Sequence, residues 1–319
     1  MKDFDATQPN WPHGEKFIHP LVTAEGDTRA TVSLSNPHTL WFNTGTLCNI
    51  TCVNCYIDSS PTNDALVYIT ADEVKTYLDE LDTLKWGVQE IAFTGGEPFM
   101  NPQMIDMARA SLERGYEVLI LSNAMVPMQR PSVKAGLLAL NAEFPGKLTL
   151  RISLDHWSED NHDAMRGTGS FERTLDGMDW LRDNGFTMAV AARSLWDETD
   201  AEARAGFANL YKDRNYKIDA QDPAKTVIFP EMDASVDVPE ITTDCWGILN
   251  TSPEAVMCSS ARMVVKRKGE APSVAACTLL PYDRQFDLGA TLKEAEKDVA
   301  LNHPHCAKFC VLGGASCSA

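Results

Sequence analysis

The chain has 319 residues, with 28 basic and 45 acidic side chains and a formal net charge of −17. A field of that sign repels nucleic-acid backbones and anionic membrane surfaces, and no run of 18 apolar residues offers a transmembrane helix. With 44% hydrophobic residues, the chain is long enough for one main core and a small appendage.

The first 17 residues, "MKDFDATQPNWPHGEKF", are polar and Pro-bearing and lack the apolar run of a signal peptide. The expected location is therefore the cytoplasm. Residues 1–36 show little periodicity and read as an N-terminal extension. From residue 38, strand and helix signals alternate. "HTLWFNT" (38–44) reads as a strand. Residues 69–87 read as a helix, with Thr70 and Glu73 in a capping box and Val74, Leu78 and Leu81 in an apolar stripe. "EIAFTGG" (90–96) is a buried strand. Residues 101–115 form a helix with Pro near its start and Gly at its end, and "YEVLILSNA" (116–124) is a strand.

The alternation continues. A helix at 131–143 precedes the strand 147–155, a helix at 170–185 precedes the strand 187–194, and a helix at 200–212 precedes the strand 225–233. Six strands separated by helices predict parallel strands joined by helical crossovers. After residue 236 the strands shorten, cysteines appear, and helical signal is confined to 291–300. Residues 237–319 read as a small cysteine-rich domain that depends on cross-links or metal. The basic run "KRK" at 266–268 reads as a solvated turn.

The nine cysteines fall into two groups, Cys48, Cys52 and Cys55 near the N-terminus and six between Cys245 and Cys317. In a reducing compartment, clustered thiols favour metal or catalysis over disulfides. A closed zinc site takes four ligands, and a cubane iron–sulfur cluster offers four irons. Three thiolates on one loop leave a position open for a substrate or cosubstrate. The alternative is a zinc site completed by His156 or His162.

In βα architectures the functional loops follow the C-terminal ends of the strands. After the second strand comes Gly95-Gly96-Glu97-Pro98, where adjacent glycines allow close backbone approach and a carboxylate can accept from an ammonium group. The third strand ends in Ser122-Asn123, and the fourth in Ser153, Asp155 and His156. These side chains suit ligand hydroxyl or carboxylate groups, or helix caps.

The Cys-x3-Cys-x2-Cys loop, followed about 40 residues later by Gly-Gly-Glu-Pro, resembles the radical S-adenosylmethionine (SAM) superfamily over residues 38–235. The resemblance implies a partial (β/α)6 TIM-like barrel in residues 37–236. It implies a [4Fe–4S] cluster on Cys48, Cys52 and Cys55 whose open iron chelates SAM. One electron would cleave SAM to methionine and a 5′-deoxyadenosyl radical, which abstracts a substrate hydrogen. It further implies that Gly95, Gly96 and Glu97 meet the methionine amino group. Ser122, Asn123, Ser153 and Asp155 would meet the ribose or carboxylate, and Arg166, in "HDAMRGTGSF" (162–171), the carboxylate. An external one-electron donor such as flavodoxin or ferredoxin is expected. The family usually has an aromatic residue just before the third cysteine. Here Asn54 stands there, and Tyr56 follows the cysteine instead.

Cys258 and Cys277 bracket a β-hairpin that turns near Gly269 and Pro272, and Cys306, Cys310 and Cys317 follow. This resembles the twitch and SPASM auxiliary-cluster domains. The expected ligand set for an auxiliary iron–sulfur cluster is Cys258, Cys277, Cys306 and Cys310, with Cys317 as substitute and Cys245 outside it. A zinc site on the same thiols is the alternative, and His303 and His305 read as a turn. The implied activity is oxidation of a small molecule, since a peptide-recognition module of roughly 80 residues exceeds the 36-residue extension. Oxidation or cross-linking of a peptide is the runner-up, and a non-catalytic zinc or iron–sulfur scaffold the reading of another class. Arg193, Trp196, Glu231 and Asp233 are substrate-side candidates near strand ends.

Overall fold

The computed structural model describes residues 16–231 and 236–314; Asp233 and Cys317 lie outside them. Eleven strands are present among the described residues: β1 (Thr31–Val32), β2 (Thr39–Asn43), β3 (Glu90–Thr94), β4 (Glu117–Ser122), β5 (Leu148–Ser153), β6 (Thr187–Ser194), β7 (Thr226–Pro230), β8 (Ala261–Val265), β9 (Ser273–Ala275), β10 (Asp287–Gly289) and β11 (Val299–Ala300). The helices are α1 (Ala71–Leu84), α2 (Met104–Glu113), α3 (Val126–Gln129), α4 (Pro131–Glu143), α5 (Glu159–Arg166), α6 (Ser170–Asp183), α7 (Asp200–Asp213) and α8 (Cys245–Ile248).

Strands β2 to β7 lie in chain order and pair in parallel, the open barrel expected from the alternation. Their middles are apolar and buried, as in Leu40-Trp41-Phe42 and Ile91-Ala92-Phe93, because helices cover one face and the barrel interior the other. The capping box of α1 is formed as read, with Glu73 N–H donating to Thr70 Oγ1 and Thr70 N–H to Glu73 Oε2.

The hairpin predicted between Cys258 and Cys277 is present as the antiparallel pair β8–β9. Unforeseen is its attachment. Strand β8 pairs in parallel with β2, from Thr39 opposite Ala261 to Phe42 opposite Val264. The sheet thus runs β10-β9-β8-β2-β3-β4-β5-β6-β7, and the cysteine-rich segment extends the barrel sheet directly. The "KRK" run is a solvated turn only at Lys268, which is exposed. Lys266 pairs with Glu73 at 2.6 Å, Arg267 is buried against Asp287 at 2.5 Å, and Lys268 meets Asp64 at 2.5 Å.

The helix expected at 291–300 is replaced by a short 3-10 turn at Glu294–Glu296 and strand β11. Here tertiary pairing overrides local propensity, because Val299 and Ala300 pair antiparallel with β1. The N-terminal segment is held by Arg29, whose guanidinium meets Glu240 at 2.5 Å and the carbonyls of His19, Val22 and Leu301. Both members of this pair are buried. Removing one partner of a buried pair leaves an uncompensated charge and costs about 3–5 kcal/mol. Arg29→Ala should therefore lower the denaturant midpoint by that amount of stability, read by urea unfolding. An unchanged midpoint would show that the N-terminal segment adds nothing to the fold.

Candidate functional site

The six strands β2 to β7 deliver their C-terminal ends to one cavity of about 1050 Å³, a volume that includes its open mouth. The loop after β2 contributes Cys48, Cys52 and Cys55, β3 ends in Thr94, Gly95 and Gly96, and β4 in Ser122 and Asn123. Ser153, Asp155, Arg166 and Arg193 complete the opposite wall. Of the predicted site residues of the barrel, the three cysteines, the SAM-side residues other than Glu97, and Arg193 line this cavity; Glu97, Trp196 and Glu231 do not, Trp196 packing on His156 and Glu231 accepting from Asn54 Nδ2.

The thiol loop is fixed at its root by the glycines. Gly96 N–H donates to Gly45 O at 2.8 Å and Glu97 N–H to Leu47 O at 3.2 Å. A Cβ on Gly96 would stand 2.3 Å from Leu47 O, and one on Gly95 would stand 2.6 Å from Gly45 O. The close approach that demands glycine is thus to the chain's own backbone as it enters the cysteine loop. The carboxylate of Glu97 is turned to a related task. It accepts from Ser122 Oγ at 2.9 Å, Asn123 N–H at 2.8 Å and Phe99 N–H at 3.3 Å, locking the end of β4 to that of β3. Burial pushes its carboxyl up to about 7, against the pull of those three donors.

At the far end of the loop, Arg193 Nη1 donates to the carbonyls of Val53 at 3.2 Å and Asn54 at 3.0 Å. Asn54 has φ +52°, a left-handed conformation that Asn tolerates and an aromatic side chain rarely adopts. This gives a physical reason for the departure noted in the sequence. Tyr56 lines the cavity and lies under the Arg193 guanidinium at 4.8 Å and edge-on to Phe229 at 6.1 Å. Phe229 stacks in turn on Phe309 at 5.4 Å, between Cys306 and Cys310.

Asp155 is 1% exposed and takes a two-point ion pair from Arg166, at 2.7 and 2.9 Å, with Arg193 at 3.4 Å. Burial alone would raise its carboxyl, but the Arg166 charge and hydrogen bond, joined by Arg193, hold it below the usual carboxylate range. Two guanidinium groups against one carboxylate give this wall an excess of positive charge. The histidines weighed as a fourth zinc ligand are engaged elsewhere. His156 meets Glu198 and Ser158 at 2.9 and 2.8 Å, and His162 Nδ1 accepts from Asp155 N–H at 3.2 Å. Among the described residues no three His, Cys, Asp or Glu converge on a single-ion site; the thiols ring a cavity instead.

The second thiol group forms beyond β8. Cys258, Cys277 and Cys306 are buried and Cys310 is half-buried on a π-helical turn, Cys306–Val311. Burial, and then the surrounding Cys258, Cys310 and Cys277, push the Cys306 thiol well up. Cys306 thus has the other three predicted cysteines, Cys258, Cys277 and Cys310, in its surroundings. Cys245 is apart from them, its sulfur accepting from Thr242 N–H. The donor types fit the groups implied by the sequence: three thiols beside an open cavity, and a second group of three buried thiols and the half-buried Cys310. The two sites share a boundary that the sequence did not signal, because Thr278 and Leu279, next to Cys277, line the barrel cavity. Trp41 and Arg151 were missed as well, although the inward alternation along β2 and β5 points to them.

The family model for the Radical SAM superfamily matches residues 42–201. The AdoMet-dependent heme synthase of Methanosarcina barkeri is 30% identical over 45% of this chain and 38% of its own length. The antilisterial bacteriocin subtilosin biosynthesis protein AlbA of Bacillus subtilis is 30% identical over 48% of this chain and 33% of its own length. The chain thus spans well under half the length of these relatives. Among solved structures, Streptococcus suis SuiB bound to S-adenosylmethionine superposes with a TM-score of 0.58 at 13% identity, covering 82% of this chain and 64% of that one. The structure of anSMEcpe with bound AdoMet superposes with a TM-score of 0.55 at 14% identity, covering 81% and 77%. These two show the fold.

His162 offers a pH test of the site. Burial, then the Arg166 charge, push it down to about 4 from an ordinary 6.5. Protonation would break its bond to Asp155 N–H and add a cation beside Arg166. The unfolded chain therefore takes the proton first, and stability is lost as pH falls from about 6.5 toward about 4. His162→Asn should reduce the proton uptake on unfolding by about one in that window, measured as the slope of unfolding free energy against pH. An unchanged slope would mean that His162 titrates normally in the folded state.

Proposed function

Since the chain belongs to the radical SAM superfamily, whose members use a [4Fe–4S] cluster and SAM, we propose that it is an oxidising enzyme whose barrel cavity holds both groups. The observation that carries this reading is the meeting of three thiols, the Gly95–Gly96 turn and a net positive wall at one strand-end cavity. Cys48, Cys52 and Cys55 would hold the cluster. Gly95, Gly96, Ser122, Asn123 and Ser153 would line the SAM site, and Glu97 would keep the β4 end rigid against it. The excess positive charge of Arg166 and Arg193 over Asp155 complements the SAM carboxylate. When bound, the cluster supplies the electron that splits SAM into methionine and a 5′-deoxyadenosyl radical, which takes a hydrogen atom from the substrate.

Residues 237–319 would form the auxiliary iron–sulfur domain, with Cys258, Cys277, Cys306 and Cys310 as ligands and Thr278 and Leu279 as the wall between the two sites. An auxiliary centre held there would supply an acceptor for the second electron of a net oxidation. A small molecule held in the cavity is the first reading of the substrate. A peptide is the second, supported by the neighbours SuiB bound to precursor peptide SuiA and anSMEcpe bound to the Cp18Cys peptide. An external flavodoxin- or ferredoxin-type donor would supply the first electron.

Anaerobic reconstitution with iron and sulfide, followed by reduction in the presence of SAM, tests the reading through release of 5′-deoxyadenosine. Cys52→Ala should reduce that release to background. Cys277→Ala should lose the second cluster and keep SAM cleavage. Zinc at unit stoichiometry with no SAM cleavage would identify a scaffold instead.

A further inference from the structure

Arg262 is the most deeply enclosed charge near the second thiol group. It is 1% exposed, lies on β8, and sits one turn of chain from Cys258. Its hydrogen bonds all go to main-chain carbonyls. Nε donates to Ala295 O at 3.0 Å, Nη1 to Cys258 O at 2.6 Å and Ala261 O at 2.9 Å, and Nη2 to Lys297 O at 3.2 Å. The guanidinium stays protonated in proteins, so a full positive charge sits in the interior.

Several buried guanidinium groups of the chain meet a carboxylate: Arg29 has Glu240, Arg166 has Asp155, and Arg267 has Asp287. Arg262 forms no ion pair among the described residues. The groups whose negative forms act on it most are Cys258 and Cys277, ahead of Asp298. Carbonyl oxygens satisfy its donors but do not cancel its charge, and a buried charge without a counter-charge is costly. A cubane cluster held by four thiolates carries net negative charge, which grows on reduction, and its potential follows nearby charge.

We propose that Arg262 is the counter-charge of the auxiliary cluster site: its guanidinium offsets the thiolates of Cys258 and Cys277 and raises the potential at which the cluster takes up an electron. The proposal rests on the reading of the four cysteines as a cluster site. It makes Arg262 a positioning residue for charge, tuned to favour electron acceptance from the cavity side, where Thr278 and Leu279 form the wall. The sign follows directly, because a fixed positive charge stabilises the more negative, reduced state.

The test is a redox titration monitored by electron paramagnetic resonance on the full chain, reconstituted in a Cys48→Ala/Cys52→Ala/Cys55→Ala background so that the auxiliary signal stands alone. Arg262→Gln should move the midpoint potential to a more negative value. Arg262→Lys, which keeps the charge and gives up most of the carbonyl contacts, should stay near the parent value. If Arg262→Gln fails to hold iron while Arg262→Lys loads fully, the requirement for charge is met in another form. Equal loss of iron in both variants, or an unmoved potential in Arg262→Gln, overturns the proposal and assigns Arg262 to tying the backbone. A parent protein that binds no second cluster overturns the underlying reading, and the proposal with it.

Discussion

The arrangement of both thiol groups depends on one strand. β2 is hydrogen-bonded in parallel register on both sides, to β3 through Thr39–Asn43 against 90–94 and to β8 through 39–42 against 261–264. Parallel pairing sets all three C-terminal ends at the same rim. The loop after β2 carries the first three cysteines, the turn after β3 carries the glycines that seat that loop, and the hairpin from β8 returns to Cys277. Separating β2 from either neighbour would remove one of the two partners of the cavity.

Around this strand, buried polar groups set the positions of the loops. Glu97 joins the ends of β3 and β4, Arg193 holds the far end of the thiol loop by two carbonyls, and Asp155 fixes Arg166 and Arg193 against the cavity. Each is a buried charge or carboxylate with several hydrogen bonds, the kind of network that is costly when partly broken and rigid when complete. The outcome is a cavity whose walls are fixed before any ligand enters, which is the physical basis of preorganisation.

Much of this was legible in the sequence, for identifiable reasons. The helix–strand alternation carries its own periodicity, and the capping box at Thr70 and Glu73 is local, so both appear as read. The cysteines stood out as candidate ligands because thiols are rare and their spacing is informative. What was not legible is what depends on long-range pairing. The strand at Val299–Ala300 replaced a predicted helix because its partner is β1, far away in the chain. The attachment of β8 to β2 has no local signature, and neither does the burial of Arg267 against Asp287 in a run that reads as solvated. Glu97 was visible as a carboxylate beside two glycines, but its partners Ser122 and Asn123 lie on another strand. Asn54 looked like a departure from pattern until its left-handed backbone supplied the reason.

The central claim is that the loop of Cys48, Cys52 and Cys55 keeps an open metal position facing SAM, while the C-terminal thiols close theirs. Electron–nuclear double resonance on the reduced, reconstituted protein with isotope-labelled SAM tests this most directly. The account predicts hyperfine coupling from the amino nitrogen and carboxylate of SAM to one cluster, retained in Cys277→Ala and absent in Cys52→Ala. Coupling that survives Cys52→Ala, or that is lost with Cys277→Ala while the first cluster remains loaded, would contradict it.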